Sequence, residues 1–93
     1  MQFNLDEFNT ILLYLENIDS SKGIVKTSNH SILVFDKENK VEISYKYDKF
    51  EIYLNGNIIH KSKYNYKLKN DDINKLISKR YNQIIEMKER GLI

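Results

Sequence analysis

The chain has 93 residues, a net charge of +2 at pH 7 and no cysteine. That length suits one domain with a single hydrophobic core, residues 1–93. The lack of cysteine excludes disulfides, thiolate nucleophiles and cysteine-based metal sites. No apolar run approaches the ~20 residues of a membrane span. The acidic residues Asp6 and Glu7 near the start are unlike a signal peptide, so we expect a cytoplasmic protein that does not bind membranes.

The amino-acid composition points to the type of genome. Lysine, asparagine, isoleucine and tyrosine are abundant, whereas alanine, proline and tryptophan are absent. The four abundant residues have AT-rich codons, and alanine and proline have GC-rich ones. The composition therefore indicates an AT-rich genome, such as that of a low-GC bacterium, a phage or a plasmid.

The first predicted helix covers residues 5–18. Asn4 is the candidate N-cap, and Asp6 and Glu7 lie in the first turn, where the helix dipole favours carboxylates. Leu13 points away from the buried face. That face consists of the apolar residues at helical spacing, Leu5, Phe8, Ile11, Leu12 and Leu15.

Five strands are predicted next, because apolar or alternating runs are separated by turn residues. Their predicted bounds are 23–27, 32–36, 41–47, 50–54 and 57–68. The connecting loops are short, so neighbouring strands are expected to be antiparallel and to form a meander. The strongest turn signal is the Asn55-Gly56 pair, because both residues tolerate the positive φ of a type I′ turn.

The expected turns set a register for the sheet. We place turns at 37–40, 48–49 and 55–56. The strand pairs that follow are Val34 with Ile43, Phe35 with Glu42, Tyr47 with Phe50, Lys46 with Glu51, Tyr53 with Ile58, and Glu51 with His60.

This register divides the side chains between two faces. The predicted core face carries Ile32, Val34, Val41, Ile43, Tyr45, Tyr47, Phe50, Ile52, Leu54 and Ile59. The second face carries Leu33, Phe35, Glu42, Ser44, Lys46, Glu51, Tyr53, Ile58 and His60. Its four large apolar residues are too many for a fully solvated face. Either one helix covers it, which makes a helix–sheet–helix sandwich, or it meets a partner or a second copy.

The last predicted helix covers residues 71–90. Asn70 is the candidate N-cap, Asp71 and Asp72 lie at the positive end of the dipole, and Gly91 is placed to end the helix. Its predicted buried stripe is Ile73, Leu76, Ile77, Tyr81, Ile84 and Met87. The expected class is therefore α+β: an N-terminal helix, an antiparallel meander of four to five strands and a long C-terminal helix.

No pattern in the sequence indicates catalysis. The two histidines, His30 and His60, lack the spacing of metal ligands. The E-x-K run at 38–40 has the form of a nuclease fragment, but it lies in a predicted loop without a separated acidic ligand. Asp71 and Asp72 are better explained by helix electrostatics than by acid–base chemistry. We therefore expect no enzyme activity, no metal and no cofactor.

The leading functional hypothesis is a small non-catalytic protein-binding module. A phage- or mobile-element-encoded inhibitor or regulator of a host protein, for example an anti-defence protein that inhibits a CRISPR effector, fits the size and composition. The binding candidates are apolar residues of the second face with a charged rim, because interfaces commonly have this arrangement. They are Leu33, Phe35, Tyr53 and Ile58, with Lys46 and Glu51 at the rim and Leu13 as a weaker candidate.

Two alternatives remain open. The first is a nucleic-acid-binding domain, because lysines can neutralise phosphates and tyrosines can stack on bases. Its candidates are Lys61, Lys63, Lys67, Lys69, Tyr64 and Tyr66. An extended strand would place these lysines and aromatics on opposite sides, which also fits an edge strand protected against aggregation. The second alternative is a homodimer built through the second face or an edge strand.

Overall fold

A computed structural model describes residues 5–19 and 23–92. The elements are α1 (Leu5–Leu15), β1 (Gly23–Lys26), β2 (Ser31–Phe35), β3 (Lys40–Lys46), β4 (Lys49–Leu54), β5 (Asn57–Lys63) and α2 (Asn70–Glu89). The five strands form one antiparallel sheet in the order β1-β2-β3-β4-β5. The α+β class and the meander are therefore confirmed. The proposed N-cap Asn4 lies outside the described residues.

Two elements, α1 and β5, end several residues earlier than expected. Helix α1 stops at Leu15, but Ile18 is still buried and its backbone N–H donates to the Leu15 carbonyl at 3.1 Å. Strand β5 stops at Lys63 because the chain then leaves β4 and crosses the β3–β4 turn. There the Tyr64 N–H donates to the Asp48 carbonyl at 2.8 Å. The expectation that the strand continues to residue 68 is therefore wrong.

The β2–β3 and β3–β4 registers differ from the expected ones by two residues. Tyr45, not Tyr47, faces Phe50, with ring centroids 5.0 Å apart. Because a two-residue shift preserves side-chain alternation, the strand residues stay on the expected faces. The paired residues are Ile32 with Ile43, Val34 with Val41, Phe35 with Lys40, Tyr45 with Phe50, and Lys46 with Lys49. Tyr47 lies in the turn and is 55% exposed, so its assignment to the core is wrong.

The side chain of Asp36 explains why the β2–β3 loop begins one residue early. Its Oδ1 accepts the backbone N–H groups of Glu38 and Asn39 at 2.8 and 2.7 Å. These bonds form an Asx-type turn that replaces strand pairing after Phe35. Backbone hydrogen bonds from Asn39, Asp19 and Glu38 also lower the pKa of Asp36.

A β-bulge in β5 changes the face of the sheet on which the later side chains of this strand lie. The Asn55-Gly56 turn has the expected positive φ values of 51° and 88°, and Tyr53 faces Ile58 as predicted. The register then shifts, so that Ile52 faces His60 and Glu51 faces Lys61. The expected Glu51–His60 pair is therefore wrong.

After the bulge, His60 belongs to the core face. Its ring lies 5.6 Å from the ring of Phe50 and 6.0 Å from that of Tyr14, and its Nε2 is 2.9 Å from the Ser62 hydroxyl. An extra residue in one strand reverses every later side chain, which the alternation of the sequence alone does not reveal.

Both helices pack on the core face of the sheet. The buried apolar residues come from both helices, from one face of the sheet and from the segment before α2. They are Ile11, Leu15, Ile18, Ile24, Ile32, Val34, Val41, Ile43, Tyr45, Phe50, Ile52, Leu68, Ile73, Leu76, Ile77 and Ile84. Among the described residues, no element covers the opposite face, so the described elements do not form a helix–sheet–helix sandwich.

Helix α2 begins one residue earlier than expected, and Gly91 follows its C-cap residue Arg90, as the sequence predicts. Lys69, not Asn70, is the N-cap residue, and its backbone N–H donates to Asp72 Oδ2 at 3.2 Å. At the other end Gly91 has φ 73°, and the Leu92 N–H reaches the Met87 carbonyl at 2.9 Å. This is a Schellman-type end, which requires a left-handed residue after the helix.

A buried ion pair joins the two helices to the sheet. Arg80 of α2 is 1% exposed, and its Nη2 lies 3.7 Å from Glu7 Oε1 of α1. Tyr45 of β3 donates to the same Glu7 oxygen at 3.0 Å and accepts from Arg80 Nε at 3.1 Å. The hydroxyl of Tyr64 donates to Glu7 Oε2, and Arg80 Nη1 donates to Gln83 at 3.0 Å.

These hydrogen bonds are needed because buried charges are costly unless they are paired and their polar atoms are bonded. Burial and the Glu7 carboxylate raise the pKa of Tyr45, and burial and the hydrogen bond to Glu7 raise that of Tyr64. Both phenols therefore stay protonated at neutral pH and keep donating to Glu7. The network holds both helices on one face.

We predict that Arg80→Met lowers the free energy of unfolding by about 3 kcal/mol, because it leaves Glu7 buried without its cation. The matched control is Arg90→Met in the same helix. Arg90 pairs with Glu86 at 2.6 Å, but both side chains are more than half exposed, so its loss should cost less than about 1 kcal/mol. Urea denaturation followed by circular dichroism measures both.

The double variant Glu7→Gln/Arg80→Met should be more stable than Arg80→Met alone, because no charge remains buried. Equal losses for Arg80→Met and Arg90→Met would contradict the assigned role of the buried pair.

Candidate functional site

The candidate site is the sheet face opposite the helices, which we call the outer face. Strand alternation places on it Val25, Leu33, Phe35, Glu42, Ser44, Lys46, Lys49, Glu51, Tyr53, Ile58, Lys61 and Lys63. Cross-strand pairing connects one residue from each of the five strands into a single row, because each residue is the direct partner of the next one. The row runs Val25, Leu33, Glu42, Tyr53, Ile58. Four apolar or aromatic side chains therefore flank one carboxylate.

The two ends of this row are the most exposed. Val25 and Ile58, on the edge strands, are 42% and 49% exposed, whereas Leu33 and Tyr53 are half-buried by neighbours in the sheet. Single exposed apolar side chains are common on protein surfaces, whereas a contiguous row of them makes this face a candidate contact surface.

Phe35 extends the apolar surface beyond the row and depends on a glycine. It faces Gly23, and a Cβ added at Gly23 would lie 2.2 Å from Phe35 Cζ. The ring therefore lies over the β1 backbone in space that any other residue would fill. We call Val25, Leu33, Phe35, Tyr53 and Ile58 the apolar patch.

A cavity of about 330 Å³ adjoins the apolar patch at the end of β2. Leu33 and Phe35 line it together with the residues 36–40 and Asn55. Asn55 connects the two loops at its rim, because its Oδ1 accepts the Lys40 N–H and its Nδ2 donates to Asn39, each at 2.9 Å. The rim is therefore held in place before any ligand arrives.

Glu42 is the carboxylate within the apolar row. It lies between Leu33 and Tyr53 and is half-buried. Within residues 5–19 and 23–92, its carboxylate forms no hydrogen bond or ion pair. A partner that covers the row would have to supply a cation or donors for this group.

The second carboxylate of the outer face, Glu51, is fully paired. Its Oε1 lies 2.7 Å from Lys46 Nζ and accepts the Tyr53 hydroxyl at 2.9 Å. Burial alone would raise the pKa of Glu51, but the hydrogen bonds from Lys46 and Tyr53 outweigh it, so the pKa lies below the usual value. The bond to Glu51 likewise raises the pKa of Lys46. The expected Lys46–Glu51 pair therefore forms, although across a diagonal rather than directly.

The lysine and tyrosine candidates do not lie along one strand. Lys61 and Lys63 belong to the outer face, Lys69 precedes α2, and Lys67 Nζ lies 5.6 Å from the centre of the Tyr47 ring. The Tyr64 hydroxyl bonds Glu7 of the core network. Tyr66 stacks on Tyr64 with ring centroids 5.1 Å apart and is 48% exposed.

Leu13, the weaker binding candidate, lies on the other side of the molecule. It is 60% exposed on α1, beside a groove of about 360 Å³ between the two helices. The groove is also lined by Leu12, Ile18, Met87 and Leu92.

Several residues of the site were missed by the sequence analysis. Alternation with Ile24 could have placed Val25 on the outer face, but a four-residue strand gives a weak signal. Lys49 was missed because the expected turn lay one residue too late. No sequence signal indicates that Glu42 lacks a partner.

Neither a metal centre nor a membrane-spanning helix occurs among the described residues. No three His, Asp or Glu side chains there are grouped so that they could hold a metal ion. Neither described helix combines the length and the apolar character needed to cross a membrane.

Comparison of the chain with protein-family models, with curated proteins and with solved structures found no match. The function must therefore be argued from the outer face itself.

We predict that Glu51→Gln lowers the free energy of unfolding at pH 7 by about 1 kcal/mol, because the bonds from Lys46 and Tyr53 favour the charged carboxylate. A pKa lowered on folding stabilises the protein above the unfolded value, about 4.3. That stabilisation is lost as the pH falls through the lower folded value. The difference in the free energy of unfolding between the wild type and Glu51→Gln, measured by urea denaturation, should therefore shrink as the pH falls from the unfolded to the folded pKa of Glu51. A difference that persists below it would contradict the assignment.

The control is Glu42→Gln on the same face, which removes no bond. It should change the free energy of unfolding at pH 7 by less than about 0.5 kcal/mol.

Proposed function

We propose that this protein is a small non-catalytic protein-binding module that holds its partner on the outer face of the sheet. The observation that carries the proposal is the row across all five strands, in which four apolar or aromatic side chains flank a carboxylate that no described residue hydrogen-bonds or pairs with. The row consists of Val25, Leu33, Glu42, Tyr53 and Ile58.

The arrangement matches the usual anatomy of an interface. An apolar centre surrounded by polar groups excludes water from the contact and leaves charged groups solvated at the rim. Here the apolar patch is bordered on one side by Ser44, Lys46 and Glu51, and on the other by the loops around the cavity.

The chemistry of the face specifies the partner. A carboxylate that is covered without a counter-charge would lose its hydration without compensation. We therefore infer a partner surface that presents apolar side chains together with an Arg or Lys opposite Glu42. An apolar side chain of that partner fits the cavity beside Leu33 and Phe35, which has room for one large residue.

The side chains and loops of the outer face are already held in place in the isolated chain, so little further ordering is needed on binding. Its side chains stand on paired strands, the Asn55 bonds hold the two loops at its rim, and Tyr53 is held by Glu51. Binding to a preorganised surface loses less conformational entropy than binding to a mobile one.

Three expectations from the sequence stay predictions within this proposal. They are the origin in a phage or mobile element, the role as an inhibitor or regulator of a host protein, and the absence of enzyme activity. Each depends on the identity of the partner.

The test compares the same chemical change on the two sides of the molecule. Ile58→Asp places a carboxylate in the apolar patch, and Leu13→Asp places one on the exposed side of α1. Tagged wild-type protein would capture partners from a low-GC host, and the captured protein would then be purified and titrated by calorimetry. We expect Ile58→Asp to weaken binding by about 2 kcal/mol, because it would bury a carboxylate in the apolar contact, and Leu13→Asp to leave it unchanged.

Light scattering completes this test, because a second copy could occupy the same face. A dimer that Ile58→Asp dissociates would identify the chain itself as the occupant. Loss of binding with Leu13→Asp but not with Ile58→Asp, or capture that depends on neither residue, would contradict the proposal.

A further inference from the structure

A second feature of the outer face is a group of lysines at the end nearest the β3–β4 turn. Lys49 and Lys63 are directly paired across β4 and β5, and Lys61 lies two residues along the same face. Like charges placed opposite each other destabilise a sheet. None of these three ammonium groups forms a hydrogen bond or ion pair with another described residue.

The chain after β5 brings aromatic rings and a further lysine to this end. The Tyr64 N–H donates to the Asp48 carbonyl at 2.8 Å, and the Leu68 N–H donates to the Tyr47 carbonyl. The segment 64–68 therefore runs along the β3–β4 turn. It places Lys67 Nζ 5.6 Å from the centre of the Tyr47 ring.

We call this end the basic corner and define it by Lys49, Lys61, Lys63, Lys67, Tyr47 and Tyr66. Both tyrosines are about half exposed, at 55% and 48%. Tyr66 has one ring face stacked on Tyr64. The carboxylates among the neighbouring residues are Asp48 and Glu51. Glu51 forms an ion pair with Lys46 and is also the cross-strand partner of Lys61, so four lysines of the corner share two carboxylates with Lys46. The corner is therefore positively charged and carries exposed aromatic rings.

We propose that the basic corner binds single-stranded nucleic acid. Lys49, Lys61 and Lys63 would contact successive phosphates, and the exposed rings of Tyr47 and Tyr66 would stack on bases. Stacking on a side chain requires unpaired bases, because duplex bases are already stacked on each other. Lysines with adjacent exposed aromatics therefore favour a single strand over a duplex and over an acidic protein, which offers no bases.

This site differs from the strand that the sequence suggested. In a continuous strand over 57–68 the lysines and tyrosines would face opposite ways. Because β5 ends at Lys63 and the chain then runs along residues 47–48, Tyr66 and Lys67 lie at the same end of the sheet as Lys49 and Lys63, and Lys67 Nζ lies over the Tyr47 ring. The proposal uses none of the apolar patch, so it stands or fails separately from the proposed protein partner.

The test measures fluorescence anisotropy of fluorescein-labelled 15-nucleotide oligo-dT and oligo-U with the whole chain, from 50 to 300 mM NaCl. Three phosphate contacts predict a slope of about −2 for log K against log salt, since each contributes roughly 0.7 for single strands. Lys49→Gln/Lys63→Gln should weaken binding at least tenfold at 50 mM salt and reduce the slope by about 1.4. The control Lys26→Gln/Lys37→Gln removes the same charge from β1 and the β2–β3 loop and should change neither.

The contribution of base stacking on Tyr66 is measured with a separate variant. Tyr66→Leu keeps an apolar contact with Tyr64 but removes the exposed ring, so affinity should fall roughly tenfold with an unchanged salt slope. This variant and the comparison of single strand with duplex for the unaltered chain do not depend on the folding of the lysine variant.

Four results would overturn the proposal. They are no binding at 50 mM salt, equal affinity for a duplex of the same length, equal competition by poly-glutamate, and equal weakening by the control pair. Equal competition by poly-glutamate would assign the corner to acidic proteins instead.

Discussion

The buried pair of Glu7 and Arg80 links the two helices. The hydroxyl of Tyr45, on the middle strand of the sheet, forms hydrogen bonds with both of these side chains. A guanidinium that is 1% exposed cannot move to the surface without leaving that carboxylate unpaired in the core. The network therefore holds both helices on one face of the sheet. The Tyr64 bond to Glu7 adds the segment after β5 to the same network, which directs the chain along the β3–β4 turn.

The outer face is left uncovered by the described elements because both helices pack on the opposite face of the sheet. Among the described residues nothing covers its apolar patch, and none of them forms a hydrogen bond or ion pair with the Glu42 carboxylate in the same row. The same network brings Tyr66 and Lys67 to the end of the sheet at which Lys49 and Lys63 are paired. Two surfaces of different chemistry thus adjoin on one rigid sheet. One is apolar with a single carboxylate, and the other is basic and aromatic.

Local patterns predicted the elements and the division of the sheet into two faces. Helical spacing located both helices, and alternation assigned Leu33, Phe35 and Tyr53 to the outer face, because these signals depend on neighbouring residues alone. Three features escaped this reasoning. The bulge that turns His60 inward is one added residue without a mark in the sequence. Arg80 was not expected in the core, because its burial depends on Glu7, which is distant in the chain. The β2–β3 and β3–β4 turns were misplaced by one residue, whereas the Asn55-Gly56 turn was right; at the β2–β3 turn the side-chain bonds of Asp36 compete with strand pairing.

If the outer face is free in the isolated chain and covered by a partner in the complex, its solvent accessibility must change on binding. Because the chain has no cysteine, single cysteines can report it through their rates of reaction with a charged thiol reagent. We expect rapid labelling of Val25→Cys and Ile58→Cys and slow labelling of the buried Ile43→Cys. Once the captured partner is added, positions 25 and 58 should be protected, but Leu13→Cys should not. Slow labelling at positions 25 and 58 in the isolated chain at every dilution would contradict the account, because the chain would then cover this face itself.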